Sequence, residues 1–81
     1  MRVFDEDTNK SLSNITLLFT LNEAGEFRDK LDNLISNYEK GYNHHHIVDN
    51  DFQHEITMAI YDETNILEFN ERIRRLIVNN E

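Results

Sequence analysis

Four histidines and three carboxylates lie close together in the stretch GYNHHHIVDNDFQHE, residues 41–55. Imidazole nitrogens and carboxylate oxygens are donors that suit zinc, nickel or iron. A histidine beside a carboxylate also suits general acid/base chemistry, and histidines in an acidic field gain charge near pH 6. The stretch is therefore a candidate for a metal site, a catalytic pair, a pH switch or the polar end of a hairpin.

Strand geometry decides which of the histidines share a face. Side chains alternate across a strand, so His44 and His46 lie on one face and His45 on the other. A change of one residue in register reverses the faces, and a longer turn with that change would bury His44, His46 and Val48 and expose Ile47. We favour the register that buries Ile47 and Phe52, because it hides two large apolar residues, whereas the alternative hides only Val48.

The favoured register has a two-residue turn, which pairs Ile47 with Phe52 on the inner face and His44 with Glu55. His44, His46 and Glu55 then lie together on the outer face, and they are the candidate metal ligands. The set is incomplete unless a second chain contributes a ligand. The sequence accordingly predicts no resident cofactor, although adventitious binding of a divalent metal fits this face.

No complete catalytic motif is present. The segment HEITM, residues 54–58, begins like a zinc-protease motif but has methionine where the second histidine belongs. Asp49 and Asp51 begin like a calcium loop that lacks its glycine and its later glutamate. The sequence predicts a protein without catalysis, and the alternative is a metal-binding sensor or enzyme that uses His44, His46 and Glu55.

The elements that must position these residues are predicted from the spacing of apolar side chains. Residues 15–21 alternate in the manner of a strand with one buried face, and a short strand at residues 2–4 precedes them. A third strand runs from His44 to Val48. A fourth is marked by alternating apolar residues at Ile56, Met58 and Ile60.

Two amphipathic helices are predicted. The first runs from about Glu23 to Lys40 and stops at Gly41; Thr20 and Glu23 have the spacing of a capping box, and Asn22 is an alternative N-cap. The second begins near residue 65 and carries three arginines that we expect close to its C-terminus, where cations complement the helix dipole. These are Arg72, Arg74 and Arg75.

The predicted order of elements is ββαββα, and the predicted class is α+β. Two helices on one face of a mainly antiparallel four-stranded sheet, a two-layer sandwich, would bury every apolar stripe at once. The 81 residues are too few for two separate cores, so we expect a single domain over residues 1–81.

The net charge of −8 is unevenly distributed. Between Lys40 and Arg72 there are seven acidic residues and no lysine or arginine. Such a field repels phosphate backbones, so we expect no nucleic-acid binding and favour a basic protein partner. No apolar run is long enough for a membrane span or a signal peptide, and there is no cysteine, so we expect a cytoplasmic protein without membrane contact.

The predicted partner surface combines acidic side chains with one aromatic residue on the outer side of the fourth strand. Amphipathic tyrosine beside charged groups is common at protein interfaces. The candidate contact residues are Asp49, Asp51, Glu55, Tyr61, Asp62 and Glu63. An exposed edge strand at residues 2–4 also makes a homodimer an alternative.

The run of LNEAGEFRDKLDNLI, HHHI and HEITMAIYD resembles the small bacterial α+β immunity-like proteins of polymorphic toxin systems, or an uncharacterised bacterial family of similar pattern. The resemblance covers residues 15–62. It implies a protein that binds and neutralises a partner, often a basic nuclease, without chemistry of its own. We therefore expect a small acidic protein-binding module, of the immunity or inhibitor type.

Overall fold

The computed structural model describes residues 1–40, 44–49 and 51–81. Within these ranges it contains two α-helices and four short strands in the order ββαββα, which confirms the predicted α+β class. The order of elements matches the prediction, but the second strand is Lys10–Ser11 and not residues 15–21. The elements are β1 (Phe4–Asp5), β2 (Lys10–Ser11), α1 (Leu21–Ser36), β3 (His44–Val48), β4 (Glu55–Ala59) and α2 (Glu71–Asn79). Two short 3-10 helices, Tyr38–Lys40 and Ile66–Glu68, follow α1 and precede α2.

The strands form two separate antiparallel pairs, β1 with β2 and β3 with β4, rather than one four-stranded sheet. The predicted strand at residues 15–21 was wrong. Residues 14–20 have no regular secondary structure, and Leu21 is the first residue of α1. The alternation of residue types is present there, but within the described residues no neighbouring strand accepts or donates the hydrogen bonds that would make the segment part of a sheet.

The chain divides into two compact units. A contiguous central unit comprises residues 18–65 and contains α1, β3 and β4. A terminal unit comprises residues 1–17 together with residues 66–81 and contains β1, β2 and α2.

In the central unit, α1 packs against β3. Its core residues are Leu34 of α1 and Ile47 of β3, both of which are buried. Asn33 and His45 add a polar contact between the two elements, with the Asn33 Oδ1 and His45 Nε2 atoms 2.6 Å apart. The helix therefore positions the inner face of β3 through both an apolar and a polar residue.

The predicted capping box is confirmed at the start of α1. The Glu23 N–H donates to Thr20 Oγ1 at 3.2 Å, and the Thr20 N–H donates to Glu23 Oε1 at 2.9 Å. The predicted end near residue 40 was wrong, because α1 ends at Ser36. Asn37 caps that end, where its backbone and side-chain N–H groups both donate to the Asn33 carbonyl; Gly41 lies outside the described residues.

The terminal unit joins the β1–β2 pair to α2. Asn70 caps α2, since its Oδ1 accepts a hydrogen bond from the Ile73 N–H at 2.9 Å. Leu76 and Ile77 are the buried residues of α2. Arg2 Nε donates to the carbonyl oxygens of both residues, at 3.0 and 3.2 Å, and so adds a side-chain donor at the helix end, where the Leu76 carbonyl also accepts from the Asn80 N–H at 2.8 Å.

The expected position of the arginines near the C-terminus of α2 was wrong. Because the Asn70 cap starts the helix later than predicted, Arg72 is in the first turn and no basic residue is in the last. The guanidinium of Arg72 lies 4.6 Å from the centroid of the Phe4 ring, and it donates to Asn9 through Nε and Nη2. Arg72 thus attaches the β1–β2 pair to α2 instead of complementing the helix dipole.

Candidate functional site in the histidine hairpin

The histidine hairpin consists of β3, β4 and the loop between them, residues 44–59. The two strands are antiparallel, with Ile47 opposite Ile56 and His46 opposite Thr57. The predicted division of faces is correct: Ile47 is 4% exposed, whereas His44 and His46 are exposed. The predicted partners were wrong, because each β3 residue pairs with a β4 residue four positions further along the chain than expected.

A six-residue loop, rather than a two-residue turn, produces this register. A shift of four is even, so every side chain keeps its predicted face while its opposite partner changes. A two-residue turn between twisted strands needs a positive φ angle at its first central residue, and in the type I′ turn at the second as well. In the structure Phe52, a later residue of the loop, adopts a positive φ.

Asp49 organises the loop. Its Oδ1 accepts hydrogen bonds from the backbone N–H groups of Gln53, at 2.8 Å, and His54, at 3.2 Å. Its Oδ2 lies 2.6 Å from Nδ1 of His54. Donation from the His54 side chain and then from the His54 backbone lowers the pKa of Asp49 below its ordinary value. The carboxylate thereby holds both the loop backbone and the imidazole.

Phe52 is the residue that sequence reasoning placed least well. It was expected on the inner face opposite Ile47, but it lies in the loop with φ 55° and is 84% exposed. Its N–H donates to the Asp49 carbonyl at 3.0 Å, which fixes the turn. A bulky residue rarely adopts a left-handed backbone, and nothing in the residue types around Phe52 signals it.

The outer face of the hairpin is small and polar. Its exposed residues are His44, His46, Val48, Glu55, Thr57 and Ala59. Nδ1 of His46 lies 2.8 Å from Glu55 Oε1 and 2.8 Å from Thr57 Oγ1. The rings of His44 and His46 meet edge to face, with centroids 4.9 Å apart. The structure therefore brings His44, His46 and Glu55 together on one face, as the alternation predicted.

Proximity alone does not build a metal site. In the part of the chain that the structure describes, no group of three or more His, Asp or Glu side chains has the arrangement that holds a metal ion. Nδ1 of His46 is engaged by Glu55 and Thr57, so a metal ion would have to bind the Nε2 atom of this ring. The metal site at His44, His46 and Glu55 stays a prediction, and a zinc titration followed by the histidine NMR signals tests it.

The six predicted contact residues fall into two groups at opposite ends of β4. Asp49, Asp51 and Glu55 lie at its start, and Tyr61, Asp62 and Glu63 follow its end. Glu55 is the first residue of β4 and Tyr61 follows its last residue by two, so the length of β4 alone separates the groups by about 13 Å, from the rise per residue of a strand. A single flat contact would have to extend along the whole strand to reach both.

Asp62 stabilises a turn in the same way as Asp49. Its Oδ1 accepts from the Thr64 hydroxyl at 2.6 Å and from the backbone N–H groups of Thr64 and Asn65. The Thr64 hydroxyl is the main cause of the lowered pKa of Asp62. Asp51, Glu55 and Glu63 are exposed, whereas Tyr61 is half-buried. The predicted surface thus contains two loop-forming carboxylates and three that face solvent.

Comparison of the chain with protein-family models, with curated proteins and with solved structures finds no match. Among the described helices, none combines the length and the apolar character that crossing a membrane requires.

Proposed function

We propose that this chain is a small acidic bacterial protein-binding module, without catalysis of its own, and that the loop of the histidine hairpin contacts a basic partner. The observation that carries the proposal is Phe52, an aromatic side chain that is 84% exposed on a left-handed backbone at φ 55°. Backbone strain of this kind costs about 1–3 kcal/mol and is concentrated at ligand clamps and switch regions. Exposure of a large apolar ring adds a second cost that partner binding would remove.

The loop presents Phe52 in a defined position. The Asp49 side chain accepts hydrogen bonds from the backbone N–H groups of Gln53 and His54, the two residues that follow Phe52. The Asp49 backbone carbonyl accepts a hydrogen bond from the N–H of Phe52 itself. A contact residue that is already ordered loses less conformational entropy on binding. Aromatic anchors surrounded by polar residues carry most of the energy in many protein interfaces. Phe52 is thus suited to be the anchor of the contact.

Exposed carboxylates on both sides of Phe52 favour a basic partner. Asp51 precedes it directly, and Glu55 begins β4 on the outer face. In the described ranges, the one ion pair between an acidic residue and an arginine or lysine is Arg28 with Asp29 on α1. The negative charge of the hairpin is therefore open to lysine or arginine from a partner, which would accelerate association at low ionic strength.

The resemblance of residues 15–62 to immunity-like proteins supports a further part of the proposal, namely that binding inhibits the partner in the bacterial cytoplasm. An acidic loop with an aromatic anchor blocks a basic active site by occupying it. This mode of action needs no catalytic residue and no cofactor in the inhibitor.

The test is capture of partners from the host lysate by the immobilised chain, followed by quantitative mass spectrometry. We expect wild type to retain a basic protein in stoichiometric amount. Phe52→Ala should lower its recovery at least tenfold, because an anchor residue contributes about 2 kcal/mol or more. The double variant Asp51→Asn/Glu55→Gln should retain less partner and lose the dependence of association rate on salt.

Matched controls test whether binding depends on the hairpin or only on net negative charge and exposed apolar surface. Glu26→Gln/Asp32→Asn removes the same charge from exposed positions of α1, and Leu67→Ala removes another exposed apolar side chain. Both should bind as wild type does. Equal recovery of the partner by Phe52→Ala and by Leu67→Ala would contradict the proposal, as would the absence of any stoichiometric basic protein.

A further inference from the structure

Residues 14–22, N-I-T-L-L-F-T-L-N, read almost the same in both directions. With Leu18 at the centre, Leu17 matches Phe19, Thr16 matches Thr20, and the outer positions match as aliphatic with aliphatic and asparagine with asparagine. Two antiparallel copies aligned at Leu18 would therefore place like beside like at every position. Aliphatic, aromatic and threonine pairs of this kind stabilise antiparallel strands.

The backbone of this segment is available for pairing. Residues 14–20 contain no turn or bend, and none of them has a positive φ. In the described chain the backbone N–H and C=O groups of residues 14–19 take part in no hydrogen bond. An extended segment with unpaired backbone groups is a template for strand addition.

Exposure alternates along the segment as it does along a strand with one free face. Leu18 is 89% exposed, whereas its neighbours Leu17 and Phe19 are 46% and 39% exposed. Phe19 packs against Phe27 of α1, with ring centroids 5.3 Å apart. Among residues 14–20, which precede α1, the most exposed apolar side chain is thus Leu18, at the centre of the pseudo-palindrome; Leu21, the first residue of α1, is 92% exposed.

We propose that residues 16–20 pair with the same residues of a second copy of this chain, in an antiparallel two-stranded contact centred on Leu18. Leu18 faces its own counterpart across the two-fold axis, with Thr16 opposite Thr20 on the same face. Leu17 of each copy exchanges two backbone hydrogen bonds with Phe19 of the other, so the contact gains four in total.

The helix cap selects this arrangement of hydrogen bonds. The Thr20 N–H donates to Glu23, and the Thr20 carbonyl accepts from the Ala24 N–H, so neither group is free. In an antiparallel pair, hydrogen-bonded and non-hydrogen-bonded positions alternate. When Leu17 and Phe19 are the hydrogen-bonded positions, Thr20 occupies a non-hydrogen-bonded one. Self-pairing therefore leaves α1 capped as it is.

Charge favours a second copy at this position. Two chains that each carry a net charge of −8 repel one another, yet residues 11–22 contain no charged side chain. This is a place where two copies can meet without opposing carboxylates across the contact. A contact of five residues a side is small, so we expect reversible association that depends on concentration.

Cysteine scanning tests the register directly, because the chain has no cysteine of its own. Opposite residues in a non-hydrogen-bonded pair lie about 4.5 Å apart at Cα, within the range of a disulfide. Leu18→Cys should therefore form a covalent dimer rapidly under mild oxidation. Leu17→Cys should not, because the two copies of residue 17 are diagonal neighbours at about 7–8 Å. Leu67→Cys, at another exposed leucine, provides the rate of random collision.

A charge exchange at the two-fold axis supplies an independent readout. Leu18→Lys and Leu18→Asp should each be monomeric in sedimentation, since each would place like charges opposite one another. An equimolar mixture of the two should associate. Their thermal unfolding as monomers should match wild type, because Leu18 makes little buried contact.

Three results would each overturn the proposal: a wild-type chain that stays monomeric at millimolar concentration, a Leu18→Cys chain that cross-links no faster than Leu17→Cys, or a mixture of charged variants that fails to associate. None of these results bears on the hairpin loop. Partner capture by the Leu18 variants should equal that of wild type, so failure of self-pairing and failure of the proposed function are distinguishable.

Discussion

Residues 15–21 and β4 present the same alternation of apolar and polar side chains, but only β4 is paired. The difference shows that alternation predicts an extended backbone with two unlike faces and does not predict a neighbour. Pairing requires a second segment brought alongside by the intervening loop. In β4 that segment is β3, and the loop organised by Asp49 brings it there.

The chain on either side of residues 14–20 explains why they have no neighbour. Before them, the Asn9 turn at φ 61° directs β2 back onto β1, so the preceding residues pair with each other. After them, Thr20 starts α1. A segment between a closed hairpin and a helix cap has no adjacent strand in sequence, and among the described residues the backbone groups of residues 14–19 make no hydrogen bond.

The largest contrast between the two regions should appear on deletion of an apolar side chain. Ile47→Ala should reduce the free energy of unfolding by about 2–5 kcal/mol, because the residue is buried and leaves a cavity. Leu18→Ala should change it by less than about 0.5 kcal/mol in dilute solution. Urea denaturation at micromolar concentration measures both, and a similar loss for the two would mean that residues 14–20 are packed within the monomer.

Two threonines within the unpaired segment give the next contrast. Thr20→Ala removes the acceptor of the Glu23 N–H and should cost about 0.5–2 kcal/mol. Thr16→Ala should be nearly neutral, because the structure gives the Thr16 side chain no hydrogen bond within the described residues. Equal effects in thermal unfolding would show that β propensity, rather than capping, sets the role of both residues.

Phe52 should behave oppositely to a core aromatic residue. Phe52→Gly should raise the free energy of unfolding by up to about 1 kcal/mol, since glycine adopts a positive φ without the strain that an L side chain incurs. The neighbouring change Gln53→Gly should lower it, because Gln53 has a negative φ. A loss of stability in Phe52→Gly would argue that the ring is buried in solution. Partner capture by the same variant should fall.

The smallest expected effect concerns Asp49, whose carboxylate organises the loop between β3 and β4. The pKa of Asp49 is lowered chiefly by the His54 side chain, so ionised Asp49 stabilises the loop above its ordinary pKa and this contribution is lost as pH falls through the lowered value. His54→Gln should raise the pKa of Asp49 toward its ordinary value in an NMR titration. Asp62, whose pKa is lowered by Thr64, should be unaffected and serves as the control.

Local structure could be predicted well from the sequence, whereas long-range geometry could not. The capping box at Thr20 and Glu23, the strand at residues 44–48 and the outward faces of His44 and His46 follow from spacing alone. The register did not, because it depends on how many residues the loop contains, and three backbone and side-chain bonds to Asp49 decide that number. The positive φ of Phe52 is equally a property of the closed loop rather than of its residue type.

The contact of Arg2 with Leu76 and Ile77 joins residues more than seventy positions apart. During synthesis, residues 18–65 are complete before α2 exists, so the central unit can form while the first seventeen residues still lack their partner helix. Closing so long a loop is entropically slow, and the terminal unit should therefore be the last to acquire protection in pulsed hydrogen exchange. Until then the first seventeen residues are exposed to chaperones, proteases and other nascent chains.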